Sequence, residues 1–191
     1  NTANPEVQAY IYNVMVFWLN EYHIDGWRLD VADEIDPSLW TRIRYRIKSA
    51  YPDCLLLGET WGDGFSLLDE KSVDSIMNYV FRDSVRDFLA RGSIDAKMFN
   101  HRICQMRSHY PEEIRQALFQ PLDSHDTERF LWNCNGDTRR LKLAALFQMC
   151  FPGAPSIYYG DEIGLNGAND PDCRRCMEWN PAKQNENVLS F

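Results

Sequence analysis

The spacing of apolar and polar residues predicts an alternation of helices and strands. Asn4-Pro5 is a helix opening, a capping side chain followed by proline at the first helical position. Val7, Ile11, Val14, Trp18 and Tyr22 then recur three and four apart, which predicts one apolar face. Gly26-Trp27-Arg28-Leu29-Asp30-Val31 reads as a short strand. Asp36-Pro37 opens a second helix, with Leu39, Ile43, Ile47 and Ala50 along one side. Leu55-Leu56-Leu57 is a continuous apolar run, as expected of a parallel strand covered on both faces.

The same rhythm continues to the far end of the chain. Ser75–Asn78, Ala117–Gln120 and Ser156–Tyr159 read as three further strands. Helical segments are predicted over 83–90, over 95–109 with Phe99, Ile103, Met106 and Tyr110 in register, and from Asp137 to about Met149. From Gly160 the sequence turns loop-rich, and Asn169-Asp170-Pro171-Asp172 is a turn cluster. Strands alternating with helices imply parallel βαβ units, in an open doubly wound sheet or in part of a closed barrel. A complete (β/α)8 barrel takes about 250 residues, and 191 are present.

Composition narrows the function classes. Hydrophobic residues make up 45% of the chain, enough for a sizeable core. The 20 Lys+Arg against 28 Asp+Glu leave a net charge of −8, which disfavours a nucleic-acid partner. No apolar run is long enough for a membrane span, and Asn1–Pro5 lacks the character of a signal peptide. Of the six cysteines only Cys173 and Cys176 are close, and no second pair follows at metal spacing. They are read as reduced thiols, mostly in the core, of a cytoplasmic protein.

The chemistry is concentrated just after the strands. The first strand ends in Arg28-Leu29-Asp30, the second runs into Gly58-Glu59-Thr60-Trp61, and the fourth into Asp123-Ser124-His125-Asp126. Strand alternation puts Arg28 and Asp30 on one face, in the barrel interior, where Arg28 would keep the carboxylate ionised. Each acid taken singly is most simply a helix cap or a surface charge. Three acids at the carboxyl ends of parallel strands would instead converge on one cleft. Glycosidic cleavage needs such a set, a nucleophilic carboxylate and a protonated acid for the leaving oxygen.

At these residues the sequence resembles the α-amylase family of (β/α)8 glycoside hydrolases. Asp25-Gly-Trp-Arg-Leu-Asp-Val-Ala-Asp-Glu34, Leu57-Gly-Glu-Thr-Trp61 and Asp123-Ser-His-Asp-Thr-Glu-Arg-Phe130 resemble the family's segments at barrel strands four, five and seven. Val31-Ala-Asp-Glu34 and Asn169-Asp-Pro-Asp-Cys-Arg-Arg-Cys-Met177 look most like the neopullulanase, cyclomaltodextrinase and maltogenic amylase branch. The resemblance implies an α/β fold, a partial TIM (β/α)8 barrel holding roughly strands four to eight with their helices. Residues 1–191 would be the C-terminal part of a catalytic barrel, a single incomplete domain.

The resemblance also implies roles. Asp30 would be the nucleophile of a retaining α-glucan hydrolase, Glu59 the general acid and then base, and Asp126 the transition-state stabiliser. Arg28 would orient Asp30, and His125 would hydrogen-bond the reacting sugar. Asp170 and Arg174 would contact the next sugar on the non-reducing side. Glu34 would shape the acceptor side or simply lie near a helix start; Trp61 would stack on a sugar or pack in the core. Asn78 is better read as a structural hydrogen-bonder than as a cleft residue. Substrates would be α-1,4 glucans such as maltooligosaccharides and cyclodextrins, extending to α-1,6 links and pullulan. No cofactor is called for, and calcium is left open for the complete enzyme. A transglycosylase with the same intermediate and a non-catalytic carbohydrate-binding relative are the alternatives. The family's strand-three segment is absent, so the chain alone is expected to be inactive, and its exposed barrel edges to favour self-association. Thr60-Trp61-Gly62 departs from the bulky residue and Trp-His common in this branch.

Overall fold

Asn4 and Asp36 both cap helices through a side-chain oxygen that accepts a backbone N–H two residues on, at 2.8 Å in each case. The computed structural model that shows this describes residues 1–69 and 72–191. The chain forms two compact units, the first from residues 1–77 and 112–118, the second from 78–111 and 119–191.

In the first unit, α1 (Pro5–Tyr22) leads to β1 (Gly26–Leu29), α2 (Pro37–Ala50), β2 (Leu55–Gly58), the short α3 (Phe65–Asp69) and β3 (Ser75–Ile76). The three strands pair in parallel in the order β1-β2-β3, with Arg28 opposite Leu57 and Gly58 opposite Ile76. Gly26 is required at the start of β1, because a Cβ there would lie 2.4 Å from the Leu55 carbonyl oxygen. α2 buries Leu39, Trp40, Ile43 and Ile47 as its period predicts, though Ala50 is exposed. α1 differs from expectation. It buries Met15 and Leu19, while Trp18 and Tyr22 are exposed and lie against each other as a tilted ring pair with centroids 4.6 Å apart. The helix carries apolar residues on more than one side, and period alone does not choose which stripe meets the core.

The charged stretch of α2 is not only a solvated face. Arg44 and Lys48 converge on Asp74, Lys48 at 2.8 Å, and Asp74 also accepts the Leu56 N–H at 2.9 Å. Burial pushes this carboxyl up, but the Lys48 and Arg44 hydrogen bonds outweigh it and hold it below the ordinary range. Residues 112–117 form a helix that the sequence does not announce, and the Ser75 hydroxyl donates to the Ala117 carbonyl at 2.5 Å.

The second unit holds α4 (Tyr79–Val85), running into a π-helical turn over Arg86–Ala90, then α5 (Ala96–His109), β4 (Phe119–Pro121), α7 (Phe130–Asn133), α8 (Thr138–Cys150), β5 (Ala154–Ser156) and α9 (Glu186–Leu189), with α6 (Glu112–Ala117) belonging to the first unit. β4 and β5 pair in parallel, Gln120 opposite Pro155. β5 lies two residues earlier than predicted, because Tyr158 and Tyr159 have already left the sheet to flank an arginine. A ladder of buried amides ties the strands down. Asn78 caps α4 at the Phe81 N–H and donates to Gln120 at 3.1 Å. Gln120 donates to the Pro152 carbonyl at 3.0 Å, and Gln148 donates to Gln120 and Ser156 at 2.7 and 2.8 Å. Asn78 is therefore structural, as the sequence suggests. The apolar core around Phe81 includes Phe147 and Phe151, with ring centroids 5.9 and 5.1 Å away.

Candidate active site

In the first unit the ends of β1 and β2 build an acidic cluster. Glu59 follows β2 directly, its N–H donates to the Leu29 carbonyl at 2.9 Å, and its own carbonyl accepts the Ala32 N–H at 2.9 Å. Its side chain is only 4% exposed. One carboxylate oxygen accepts the Val31 N–H at 2.9 Å, and the other lies 2.5 Å from Arg28 Nη2. Arg28 Nη1 meanwhile pairs with Asp30. A single guanidinium thus joins both carboxylates, where the sequence reading assigns it to Asp30 alone.

Asp30 is not interior, as strand alternation predicts. β1 ends at Leu29, so Asp30 lies in the following turn, and its side chain is 73% exposed. Arg28, still on the strand, is half-buried. Val31, next in line, holds φ at +40°, a left-handed conformation unusual for a β-branched residue. That turn aims the Val31 N–H at Glu59. The following 3-10 turn, Ala32–Glu34, leaves Glu34 exposed and is stitched to β2 by the Thr60 hydroxyl, which donates to Asp33 at 2.6 Å. Trp61, two residues past Glu59, is 52% exposed.

In the second unit the loop after β4 builds another cluster. His125 Nε2 lies 2.9 Å from Asp126 Oδ2, and Arg174 donates to Asp126 Oδ1 at 3.1 Å and to the His125 carbonyl at 2.9 Å. Arg174 also pairs with Asp170 at 2.8 Å. All four residues named from the sequence for this side come together, and all remain partly open to solvent. Beneath them lies a buried layer that sequence reasoning missed. Asp123 accepts the Phe130 N–H at 2.6 Å, and Arg129, wholly buried, donates to Asp161 at 3.1 Å. Burial pushes the Asp161 carboxyl well up, and the adjacent Asp123 adds to it, against the opposing pull of Arg129. Asp123 lies in the quoted motif, yet nothing in its spacing separates it from a helix cap.

Among the described residues no group of three or more His, Cys, Asp or Glu side chains is placed to hold a metal ion. Cys54, Cys134 and Cys173 are buried, whereas Cys104, Cys150 and Cys176 are exposed, so the thiols are divided between core and surface. No helix among the described residues is long and apolar enough to cross a membrane.

Comparison with known proteins covers nearly every residue. The alpha amylase catalytic domain family matches residues 1–190. The chain is 50% identical over 190 residues to neopullulanase 2 of Thermoactinomyces vulgaris, covering 100% of this chain and 32% of that protein. It is 40% identical over 191 residues to the intracellular maltogenic amylase of Bacillus subtilis (strain 168), again 100% of this chain and 32% of that protein. A solved cyclomaltodextrinase superposes with a TM-score of 0.96 at 42% identity, covering 100% of this chain and 33% of that one. The chain therefore spans about a third of the length of these relatives. Its α/β architecture of parallel strands and intervening helices is that of a partial TIM barrel, and the chain belongs to the α-amylase catalytic domain family of glycoside hydrolases.

Proposed function

We propose that this chain supplies the catalytic acids of a retaining α-glucan hydrolase. The observation that carries the reading is the Arg28 guanidinium held between Asp30 and Glu59, with Glu59 buried and doubly anchored and Asp30 open to an incoming substrate. Retaining glycosidases use two carboxyl groups about 5–5.5 Å apart, and one cation contacting both supports a close pair. Asp30 attacks the anomeric carbon and forms the covalent glycosyl-enzyme, while Glu59 protonates the departing oxygen. Glu59 then takes a proton from water, which releases the sugar with its configuration kept. For Glu59 to carry that proton, its Arg28 contact must give way to the glycosidic oxygen as substrate enters. Asp126 and His125 grip hydroxyls of the reacting sugar, and Asp170 and Arg174 those of its non-reducing neighbour.

The substrate class is α-1,4 glucan oligosaccharides, including cyclodextrins, with α-1,6 links as an extension. This is supported by the names of the relatives, neopullulanase and maltogenic amylase among them. A cytoplasmic setting is supported by the free thiols and the intracellular relative. Self-association is proposed through exposed apolar side chains such as Leu143, Leu146, Ile157 and Phe191; a monomer in sedimentation at micromolar concentration overturns it. The test of the main reading is hydrolysis of maltoheptaose and cyclodextrin by the full-length protein, with Asp30→Asn as control. The product anomer is followed by NMR. Asp30-dependent release of the α-anomer is expected, and the β-anomer as first product would refute retention. Residues 1–191 alone are expected to be inactive or nearly so.

A further inference from the structure

The segment that carries Asp170 and Arg174 has local backbone hydrogen bonds, Ala168 to Asp172, Asp172 to Asn169 and Arg174 to Pro171, and it meets the loop of His125 and Asp126 through the partly exposed Arg174 side chain and the Cys173 thiol. A further anchor, buried beneath these contacts, comes from a different residue. Arg129 reaches both ends of the segment. Its backbone N–H donates to the Gly167 carbonyl at 3.0 Å, and its Nε donates to the Cys173 carbonyl at 2.9 Å. Its Nη1 donates to the Tyr159 carbonyl at 2.5 Å and to Asp161 at 3.1 Å. The guanidinium also lies over the Tyr158 and Tyr159 rings, 3.9 and 4.6 Å from their centroids.

The segment crosses itself closely where Arg129 grips it. A Cβ on Gly167 would lie 2.5 Å from the Asp172 carbonyl oxygen and 2.9 Å from Cys173 Cα. The Cys173 thiol donates to the His125 carbonyl at 3.2 Å, so the gripped residue itself touches the Asp126 loop. A planar fork with several donors can satisfy these carbonyls at once, which a lysine ammonium cannot.

We propose that Arg129 is the positioning residue for recognition of the second sugar: it fixes Asp170 and Arg174 relative to Asp126. This rests on the hydrolase reading above. The reacting sugar is handled by groups that Arg129 does not hold directly, so its loss should act on chain-length preference rather than on bond cleavage.

The test compares p-nitrophenyl α-glucoside with p-nitrophenyl α-maltoside on the full-length protein. Arg129→Lys should raise KM for the maltoside about tenfold while kcat stays within about twofold. The glucoside kcat/KM should also stay within about twofold. Adding Arg174→Ala should cause little further loss, since both changes remove the same interaction. Gly167→Ala disturbs the same crossing without touching the guanidinium and should show the same selective loss, which keeps the test decisive if the lysine variant folds poorly. An equal fall on both substrates, or additive losses in the double variant, overturns the proposal. Asp30→Asn should abolish turnover of both substrates; if it does not, the hydrolase reading fails, independently of Arg129.

Discussion

The two acidic clusters are held by opposite means. In the first unit, regular structure does the positioning: β1 and β2 run in parallel register, and Glu59 sits where backbone hydrogen bonds continue beyond the strand ends. One guanidinium then serves both carboxylates. In the second unit, Asp126 stands in a loop whose exposed partners, His125 and Arg174, come from segments without strands or long helices. Order there comes from beneath, from buried Arg129 and Asp123 and from the largely covered Asp161. Strand ends suit groups that must meet a reacting bond at fixed geometry. Loops tied down by a buried cation suit groups that grip a ligand rather than share its electrons.

The contrast breaks most visibly if the first cluster is altered. Asp30→Asn or Glu59→Gln should lower kcat on the order of 10⁴-fold with little change in KM, and Asp30→Asn, largely in water, should leave thermal stability nearly unchanged. A loss of only about tenfold in full-length protein would move the chemistry elsewhere. Arg28→Met should follow, with a drop in activity of about 10²-fold and a stability loss of about 1–3 kcal/mol read by denaturant titration. The stability loss arises because Glu59, 4% exposed, loses its cation while Asp30, largely in water, loses little.

Much of this contrast was legible in the sequence, and what was not has physical causes. Five parallel strands near the predicted segments and the capped helices at Asn4, Asp36 and Asp137 stand where periodicity and capping put them. The exposure of Asp30 was not legible, because alternation holds only while the strand lasts and β1 stops at Leu29, two residues short of the predicted end. The left-handed Val31 was hidden too, since a β-branched residue gives no sign of positive φ. Arg129 looked like one more charge after a motif. A fully buried arginine is known only by the carbonyls around it, and these come from residues 159 and 173, far along the chain.

The buried layer of the second unit gives a pH signature that the first lacks. The folded protein binds the Asp161 proton more tightly than the unfolded chain, because burial and Asp123 both oppose its ionisation. The stabilising contribution is therefore complete below the ordinary aspartate value and is lost as pH rises through the raised native one. Asp161→Asn cannot ionise, and its carbonyl can still accept from Arg129. Thermal melts from pH 5 to 9 should show the wild type losing a few degrees relative to the variant toward alkaline pH. Parallel curves would mean that the Asp123–Asp161 pair carries no proton in the folded state. At fixed pH, Arg174→Ala should raise KM for maltooligosaccharides about tenfold and leave kcat nearly intact, the reverse of the Asp30 result.

The smallest effect tests whether the first cluster also selects its ligand. Trp61 follows Glu59 by two residues, and 52% of its surface is accessible, more than a core tryptophan shows. An indole in that position can lie against the apolar face of a pyranose, and Glu34 of the same unit is also exposed. Trp61→Ala should then raise KM for long maltooligosaccharides about threefold to tenfold, and Trp61→Phe should restore most of it, because a flat ring suffices for stacking. Thermal stability should move by about 1 kcal/mol or less, since half of the side chain is already in water. The opposite pattern, a larger stability loss with KM unchanged, would make Trp61 a packing residue. It would also leave ligand contacts to the loops of the second unit, sharpening the division between a cluster that carries the nucleophile and acid and one that grips the sugars.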